Sequence, residues 1–419
     1  MRTQEQRQWA VQSSKVAMRT KNPIRMIVDK LDMNSVSKDK PLISLSIGDP
    51  TVFGNMDTDH SVSQSIARAV DTRRSNGYAH SCGFPHARKA VADKYSLSNH
   101  KLNENDVILA SGASGALDIV IGAIADEHDN ILVPTPGFSL YETLCGNKGI
   151  ECRFYRLDSE KDWETDIDHM RSLINERTKA IIVNNPSNPC GSVYSPEHLK
   201  EIVAVAEEFC IPIIADEIYA DMVFEGVKFT FLAEVTDTVP VISIGGLAKR
   251  YLVPGWRLGW VVLYDKLNIL KDLREGMARL TTVILGPNTL VQAALPDVIH
   301  NTPQEFFDNI NKQLSEHAKH TVNRVQKING LSLSAPKGAM YCMVSIDVER
   351  FAEHTGGEIR DDITFAQALL KEESVVVLPG QCFRSPNYFR IVFCPSIEKL
   401  EEAYDRLESF CNRKLNLNK

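Results

Sequence analysis

From about Asn99 to Arg250, short apolar runs alternate with longer stretches of helical periodicity. Val107–Ala110, Asn130–Val133, Glu151–Tyr155, Ala180–Val183, Pro212–Ala215 and Val241–Ile244 read as strands. Ser114–Ala125, Ile167–Ile174 and Pro196–Phe209 read as helices, the last opened by Ser195 as N-cap and Pro196 at the first helical position. Such alternation predicts an α/β fold, a mostly parallel sheet with helices on both faces. Beyond about Pro303 the pattern changes to a long helix over Gln304–Lys327, strands at Ala339–Ile346 and Phe389–Phe393, and a last helix near Ile397–Cys411. The expected organisation is an N-terminal arm contributing to a small domain (1–60), a large domain (61–302) and a smaller α+β domain (303–419). Asp347–Asp362, with Gly356-Gly357, is expected to be a mobile loop. No internal repeats stand out.

Composition narrows this picture only slightly. The chain has 419 residues, enough for a sizeable core and two domains. Its net charge of −7 gives no general basic field for nucleic acid. The nine cysteines form an odd set with no C-x-x-C and no zinc spacing, so no metal site is expected and reduced thiols are the simple reading. The longest apolar stretch, Ala113–Ala125, is too short for a membrane span and contains Asp118. The first 25 residues hold Arg2, Arg7, Lys15, Arg19, Lys21 and Arg25 against the single acid Glu5. An N-terminal arm of a cytoplasmic protein is the reading taken, with a mitochondrial presequence as the alternative.

The chemistry gathers around Lys249, in Ser243-Ile244-Gly245-Gly246-Leu247-Ala248-Lys249-Arg250. Upstream lie Asn184-Asn185-Pro186-Ser187-Asn188-Pro189 and Asp216-Glu217-Ile218-Tyr219, and downstream Pro254-Gly255-Trp256-Arg257. An amine, a carboxylate, a hydroxyl, an amide and a guanidinium in this order suit pyridoxal 5'-phosphate. That cofactor needs an amine for its Schiff base and an anion facing its pyridine nitrogen. Asp216 ends a strand signal, where open α/β sheets place their ligands. Asn188 and Tyr219 can donate to the ring's phenolic oxygen. Ser111-Gly112-Ala113-Ser114-Gly115, between a strand and a helix, can cradle a phosphate, although it is neither a G-x-G-x-x-G nor a Walker loop. Each residue also has a plainer reading. Asp216 alone could cap a helix, Asn188 could shape a turn, Phe138 and Tyr219 could be core, and Arg257 and Arg390 surface cations.

Taken together, these motifs resemble the class I/II aminotransferases of fold type I. Further strings resemble the tyrosine-specific members: Ser46-Ile47-Gly48-Asp49-Pro50, Pro136-Gly137-Phe138-Ser139-Leu140-Tyr141, Asn22-Pro23-Ile24-Arg25, Asn301-Thr302-Pro303-Gln304-Glu305-Phe306 and Gly338-Ala339-Met340-Tyr341. The resemblance runs from about Asn22 to Cys411. It implies a pyridoxal-phosphate enzyme that moves the amino group of L-tyrosine to 2-oxoglutarate, giving 4-hydroxyphenylpyruvate and L-glutamate, as in the first step of tyrosine breakdown. It also implies roles. Lys249 is the Schiff-base lysine and Asp216 the partner of the pyridine nitrogen. Asn188 and Tyr219 face the phenolic oxygen. Ser111, Gly112, Ala113, Ser114 and Arg257 hold the phosphate, and Phe138 stacks on the ring. Arg390 grips the substrate α-carboxylate, with Gly48 as a backbone contact. Tyr78 reaches the phosphate of a neighbouring subunit, so a homodimer is implied. Asn22 and Arg25 are candidates for the polar end of the substrate pocket.

Two positions depart from the common pattern. Gly246 stands where many relatives carry a phosphate-binding serine, for which Ser243 or Ser114 could compensate, and Cys190 stands where threonine is frequent. An aminotransferase or C–S lyase of different substrate range, using the same machinery, is the alternative activity. A regulator with an aminotransferase-like domain would need a basic DNA-binding module, which this N-terminus is too short to hold.

Overall fold

The computed structural model describes residues 11–30, 36 and 39–417, and its strands fall into three sheets. In chain order the strands are β1 (Ile43–Ser44), β2 (Val107–Ser111), β3 (Asn130–Thr135), β4 (Glu151–Asp158), β5 (Glu164–Thr165), β6 (Thr178–Asn184), β7 (Ile213–Asp216), β8 (Val241–Gly246), β9 (Leu258–Tyr264), β10 (Leu331–Leu333), β11 (Tyr341–Ile346), β12 (Val375–Val376), β13 (Leu378–Pro379) and β14 (Tyr388–Val392). The large sheet has eight strands in the order β2-β9-β8-β7-β6-β3-β4-β5. From β8 through β7, β6 and β3 to β4 all pairings are parallel. β9 runs antiparallel to both of its neighbours.

The central strands are apolar through their middles, because helices cover both faces of a parallel sheet there. Ile181, Ile182, Ile213, Ile214, Val241 and Ile242 are all fully buried. The register sets Asn184 beside Asp216, and Asp216 beside Ile244. Strand ends carrying polar groups are thereby brought to one edge of the sheet, where open α/β folds bind ligands.

The six strands expected here are present, each within three residues of its expected ends. β9 is an addition that the sequence reading passed over. Its reversed direction allows it to pair with β2 and β8 at once, through Ser111↔Leu258 and Gly246↔Gly259. Gly259 is required at this crossing, since a Cβ there would lie 2.4 Å from the Gly112 carbonyl carbon.

A four-stranded antiparallel sheet, β10-β11-β14-β13, forms the second layer with the helices Gln304–Val325, Asp362–Glu373 and Ile397–Lys414. β1 pairs with β12, and Leu45 accepts a hydrogen bond from the Val392 amide, tying the N-terminal segment to this sheet. Ile43, Leu45 and Met56 share a core with Tyr341, Phe389 and Tyr404.

The loop expected at Asp347–Asp362 is instead partly a helix, Val348–His354. Asp347 caps it by accepting from the Arg350 amide at 3.1 Å, and buried Phe351 anchors it. Among the described residues, no helix is long and apolar enough to cross a membrane.

Candidate active site

A cavity of about 460 Å3 opens where the C-terminal ends of the large sheet meet the second layer. Asp216, Lys249, Asn188, Tyr219, Phe138, Ala113, Ser114, Arg257, Gly48, Arg25 and Arg390 all line it, so most of the expected site residues converge. The chain brings them together over 365 positions of sequence, from Arg25 to Arg390.

Asp216 ends β7 and is buried. It does not cap a helix. Its Oδ2 accepts from the Tyr141 hydroxyl at 2.5 Å, and its Oδ1 accepts from the Ile218 amide. Burial pushes its carboxyl up to about 6, against the lowering pull of the Tyr141 and Ile218 hydrogen bonds and of the Lys249 charge. A carboxylate held in so dry a setting favours a cationic partner. Glu217, the next residue, is also buried. It accepts from the Leu232 amide at 2.9 Å and from the Ser243 hydroxyl, and burial pushes it to about 7.

Lys249 follows β8 in a turn, and its Nζ donates to the Gly48 carbonyl at 2.6 Å. It stands 5.8 Å from the Tyr219 ring centre. The Tyr219 hydroxyl meets that of Tyr341 at 2.8 Å, and burial raises the Tyr219 phenol well above its ordinary range. Asn188 is fixed at both ends. Its amide N–H donates to Asn184 Oδ1 at 2.7 Å, and its Oδ1 accepts from Arg390 at 2.8 Å. The Asn188 side-chain NH2 is thus the end left to face the cavity.

Arg390, on β14, is 4% exposed. One Nη donates to Asn188 Oδ1 and the other to the Ser46 carbonyl, both at 2.8 Å, while its buried Nε has no partner among the described residues. Its guanidinium lies 4.4 Å from the Tyr341 ring centre and 4.9 Å from that of Phe383. Burial lowers its basicity. A buried guanidinium bonded only to neutral oxygens lacks an anion, and a carboxylate is the group its planar fork matches.

At the other end, the helix Gly112–Ile124 points its unpaired N-terminal amides at the cavity. Gly112 has φ +72°, which turns the chain from strand to helix, and a Cβ there would lie 2.6 Å from Arg257 Nη2. Guanidinium and helix terminus together form an anion cradle. Ser111 is not part of this wall. It ends β2 before the turn, and it lines a neighbouring cavity of about 400 Å3 with Asp118 and Ile284.

Three more expectations are corrected or refined. Ser243 cannot replace a serine at position 246, because its hydroxyl is committed to Glu217 on the buried strand. A Cβ at 246 would sit 3.0 Å from the Leu258 carbonyl oxygen and 3.1 Å from Gly259 Cα, so a side chain there needs these neighbours to give by a few tenths of an ångström. Asn22 does not line the cavity. It caps the helix Pro23–Val28 by accepting from the Arg25 amide at 3.1 Å, while Arg25 itself is exposed at the cavity mouth. Tyr78 is 92% exposed and lies outside the cavity lining.

Tyr141, Tyr341, Asn184 and Ser46 were not singled out from the sequence, yet each bonds to a site residue. Their strings were visible, but a tyrosine's partner across the fold is set by topology and leaves no local signal.

Pyridoxal phosphate fits this donor set. The amine of Lys249, the buried carboxylate of Asp216, the Tyr219 hydroxyl and Asn188 amide, the Phe138 ring and the Arg257 cradle each match one part of it.

Comparison with known proteins agrees. Residues 40–407 match the family model "Aminotransferase class I and II". The tyrosine aminotransferase of Dictyostelium discoideum is 48% identical, covering 97% of each chain. That of Homo sapiens is 46% identical over 97% of this chain and 88% of its own. The crystal structure of tyrosine aminotransferase from Leishmania infantum superposes with a TM-score of 0.91 at 35% identity, covering 97% of this chain and 99% of that one. An alanine aminotransferase from Pyrococcus furiosus follows with a TM-score of 0.89 at 34% identity, covering 96% and 100%. With the cleft residues from Ser46 to Arg390 inside the matched region, this chain belongs to the class I and II aminotransferases, enzymes that work with pyridoxal 5'-phosphate.

Proposed function

We propose that this enzyme takes the amino group of L-tyrosine, and of other aromatic amino acids, and passes it to 2-oxoglutarate, leaving 4-hydroxyphenylpyruvate and L-glutamate. The observation that carries the reading is Arg390, a buried guanidinium whose Nε has no partner among the described residues, lining the same cavity as Lys249. The names of the relatives at 45–48% identity support tyrosine as the donor. Apolar side chains of Ile24, Val28, Leu117 and Leu378 offer a wall for an aromatic ring.

When bound, pyridoxal phosphate supplies the carbonyl that accepts the amino group and the cationic ring that draws electrons from the substrate Cα. The residues of this chain do the rest. Arg390 fixes the α-carboxylate by two parallel N–H bonds. Lys249 Nζ removes the proton from Cα as general base. Asp216, held by Tyr141, keeps the proton on the ring nitrogen. Asn188 and Tyr219 orient the phenolic oxygen. Ala113, Ser114, Gly112 and Arg257 hold the phosphate through amides and a guanidinium. The second substrate enters the same site and the steps run in reverse. Arg25, at the mouth, meets its distal carboxylate.

The working form in this proposal is a cytoplasmic homodimer. The exposed apolar run Val283, Ile284 and Leu285 beside the second cavity supports a protein contact there, and Tyr78, 92% exposed, is free to reach a partner subunit. Purified holoenzyme given L-tyrosine and 2-oxoglutarate tests the activity. Glutamate and the aromatic 2-oxo acid should form in equal amounts, and Lys249→Ala should abolish both. Glutamate formation from other amino acids but not from tyrosine would sink the substrate assignment. Sedimentation as a monomer at assay concentration would sink the dimer.

A further inference from the structure

Asp362 is completely buried, at the first turn of the helix Asp362–Glu373, and the catalytic reading gives it no role. Three N–H donors close on its carboxylate. The Gln381 amide reaches Oδ2 at 2.9 Å, the Gln381 side-chain Nε2 reaches Oδ1 at 2.9 Å, and the Asn387 amide reaches Oδ1 at 3.1 Å. These donors stand at the two ends of the turn that joins β13 to β14.

Within the turn the Ser385 amide donates to the Gly380 carbonyl at 3.0 Å and the Arg384 amide to the Gln381 carbonyl at 3.2 Å, but these bonds close on a strained backbone. Arg384 and Asn387 take φ of +59° and +66°, a region that costs a residue with a side chain roughly 1 to 3 kcal/mol and persists where the surroundings impose it. Gly380 packs so closely on the far side that a Cβ would lie 2.0 Å from the Ser385 carbonyl oxygen. The turn also carries Phe383, whose ring faces the Arg390 guanidinium at 4.9 Å, and it leads straight into β14, where Leu378 pairs with Arg390. One carboxylate thus brackets a strained turn that sets both the strand and the ring beneath the guanidinium.

We propose that Asp362 is a positioning residue for Arg390, fixing the β13–β14 turn so that the guanidinium presents its fork to the substrate carboxylate. This rests on the reading of Arg390 as the carboxylate anchor. Its signature is a loss confined to ligands that bear a carboxylate.

The test compares two alkoxyamines that displace the Lys249 amine from the bound cofactor in the holoenzyme. Aminooxyacetate carries a carboxylate and O-methylhydroxylamine does not. Asp362→Asn should slow aminooxyacetate about 10- to 100-fold, the loss expected from misplacing a binding group by about 1 Å, and leave O-methylhydroxylamine unchanged. Gln381→Leu, which keeps both backbone donors, should fall in the same direction by less, and it decides alone if Asp362→Asn does not fold. Wild-type rates with both reagents overturn the proposal, as does an equal fall with both reagents, which marks general loosening. Arg390→Ala separates the two levels. If it leaves the ratio of the two rates untouched, the carboxylate anchor itself is wrong. If it collapses the ratio while the Asp362 and Gln381 variants do not, only the role of Asp362 is wrong.

Discussion

Glu217→Gln offers a test of how the dry end of β7 is held. In the folded chain, burial lifts the Glu217 carboxyl from its ordinary 4.5 to about 7, the Ser243 and Leu232 hydrogen bonds notwithstanding. A carboxyl raised from 4.5 to about 7 corresponds to about 3 kcal/mol between the two protonation states. The sign follows from linkage. Below about 4.5 the glutamate is neutral whether the chain is folded or not, and it costs nothing. Above about 7 it is ionised in both states, and the folded state bears the full cost of keeping the charge out of water. Stability is therefore lost as pH rises through this window.

Glutamine is isosteric and never ionises. Its Oε1 still accepts from the Leu232 amide, and the Ser243 hydroxyl can turn to accept from its NH2. The variant apoprotein should match the wild type near pH 4.5 and gain up to about 3 kcal/mol by pH 8. In a chain of 419 residues that is roughly 3 °C in Tm, from about 2.1 cal/mol/K of unfolding entropy per residue. Urea unfolding of the apoprotein at several pH values reads it directly. A difference that stays flat with pH, or a variant weaker at every pH, would refute the reasoning and mean that the carboxylate itself is needed.

Other outcomes follow from the same geometry. Arg390→Lys replaces a planar fork by one ammonium, and the amino-acid KM should rise about tenfold or more for each charge-assisted bond lost, while cofactor affinity measured by dialysis stays the same. Gly112→Ala meets both the φ of +72° and the Arg257 contact, so the cofactor dissociation constant should rise about tenfold, matching the roughly 1 to 2 kcal/mol cost of that backbone region. Arg25→Ala should raise the 2-oxoglutarate KM about fivefold, as befits an exposed ion pair of about 1 kcal/mol, and leave the tyrosine KM alone. Unchanged 2-oxoglutarate and glutamate kinetics would remove Arg25 from the site.

The fold was legible where burial is uniform. The runs around Ile181, Ile213 and Ile242 are strands because apolar residues fill both faces, and the composition displays this directly. β9 was missed although it is just as uniformly buried. Leu258–Tyr264 begins inside the Arg257 motif, and nothing local signals that this strand runs backwards between β2 and β8. The segment after Asp347 misled through its glycines, while its cap and the burial of Phe351 decided for a helix.

In the site, residues with distinctive chemistry at a strand end or turn were legible, Lys249 and Asp216 above all. Long-range partners such as Tyr141, Tyr341 and Asp362 were not, since only the folded chain brings them within hydrogen-bond reach. Asn22 shows the converse. A polar residue ahead of Pro23 invites a binding role, and the structure uses it as a helix cap.

The most direct test of the central claim is the absorption spectrum of the purified holoenzyme during separate half-reactions. L-tyrosine alone should replace the visible band of the lysine-bound cofactor with that of its amine form, and 2-oxoglutarate added afterwards should restore the first. If tyrosine leaves the band unchanged while the wild type and Lys249→Ala show the same spectrum, the assignment of Lys249 and of this cavity to transamination is contradicted.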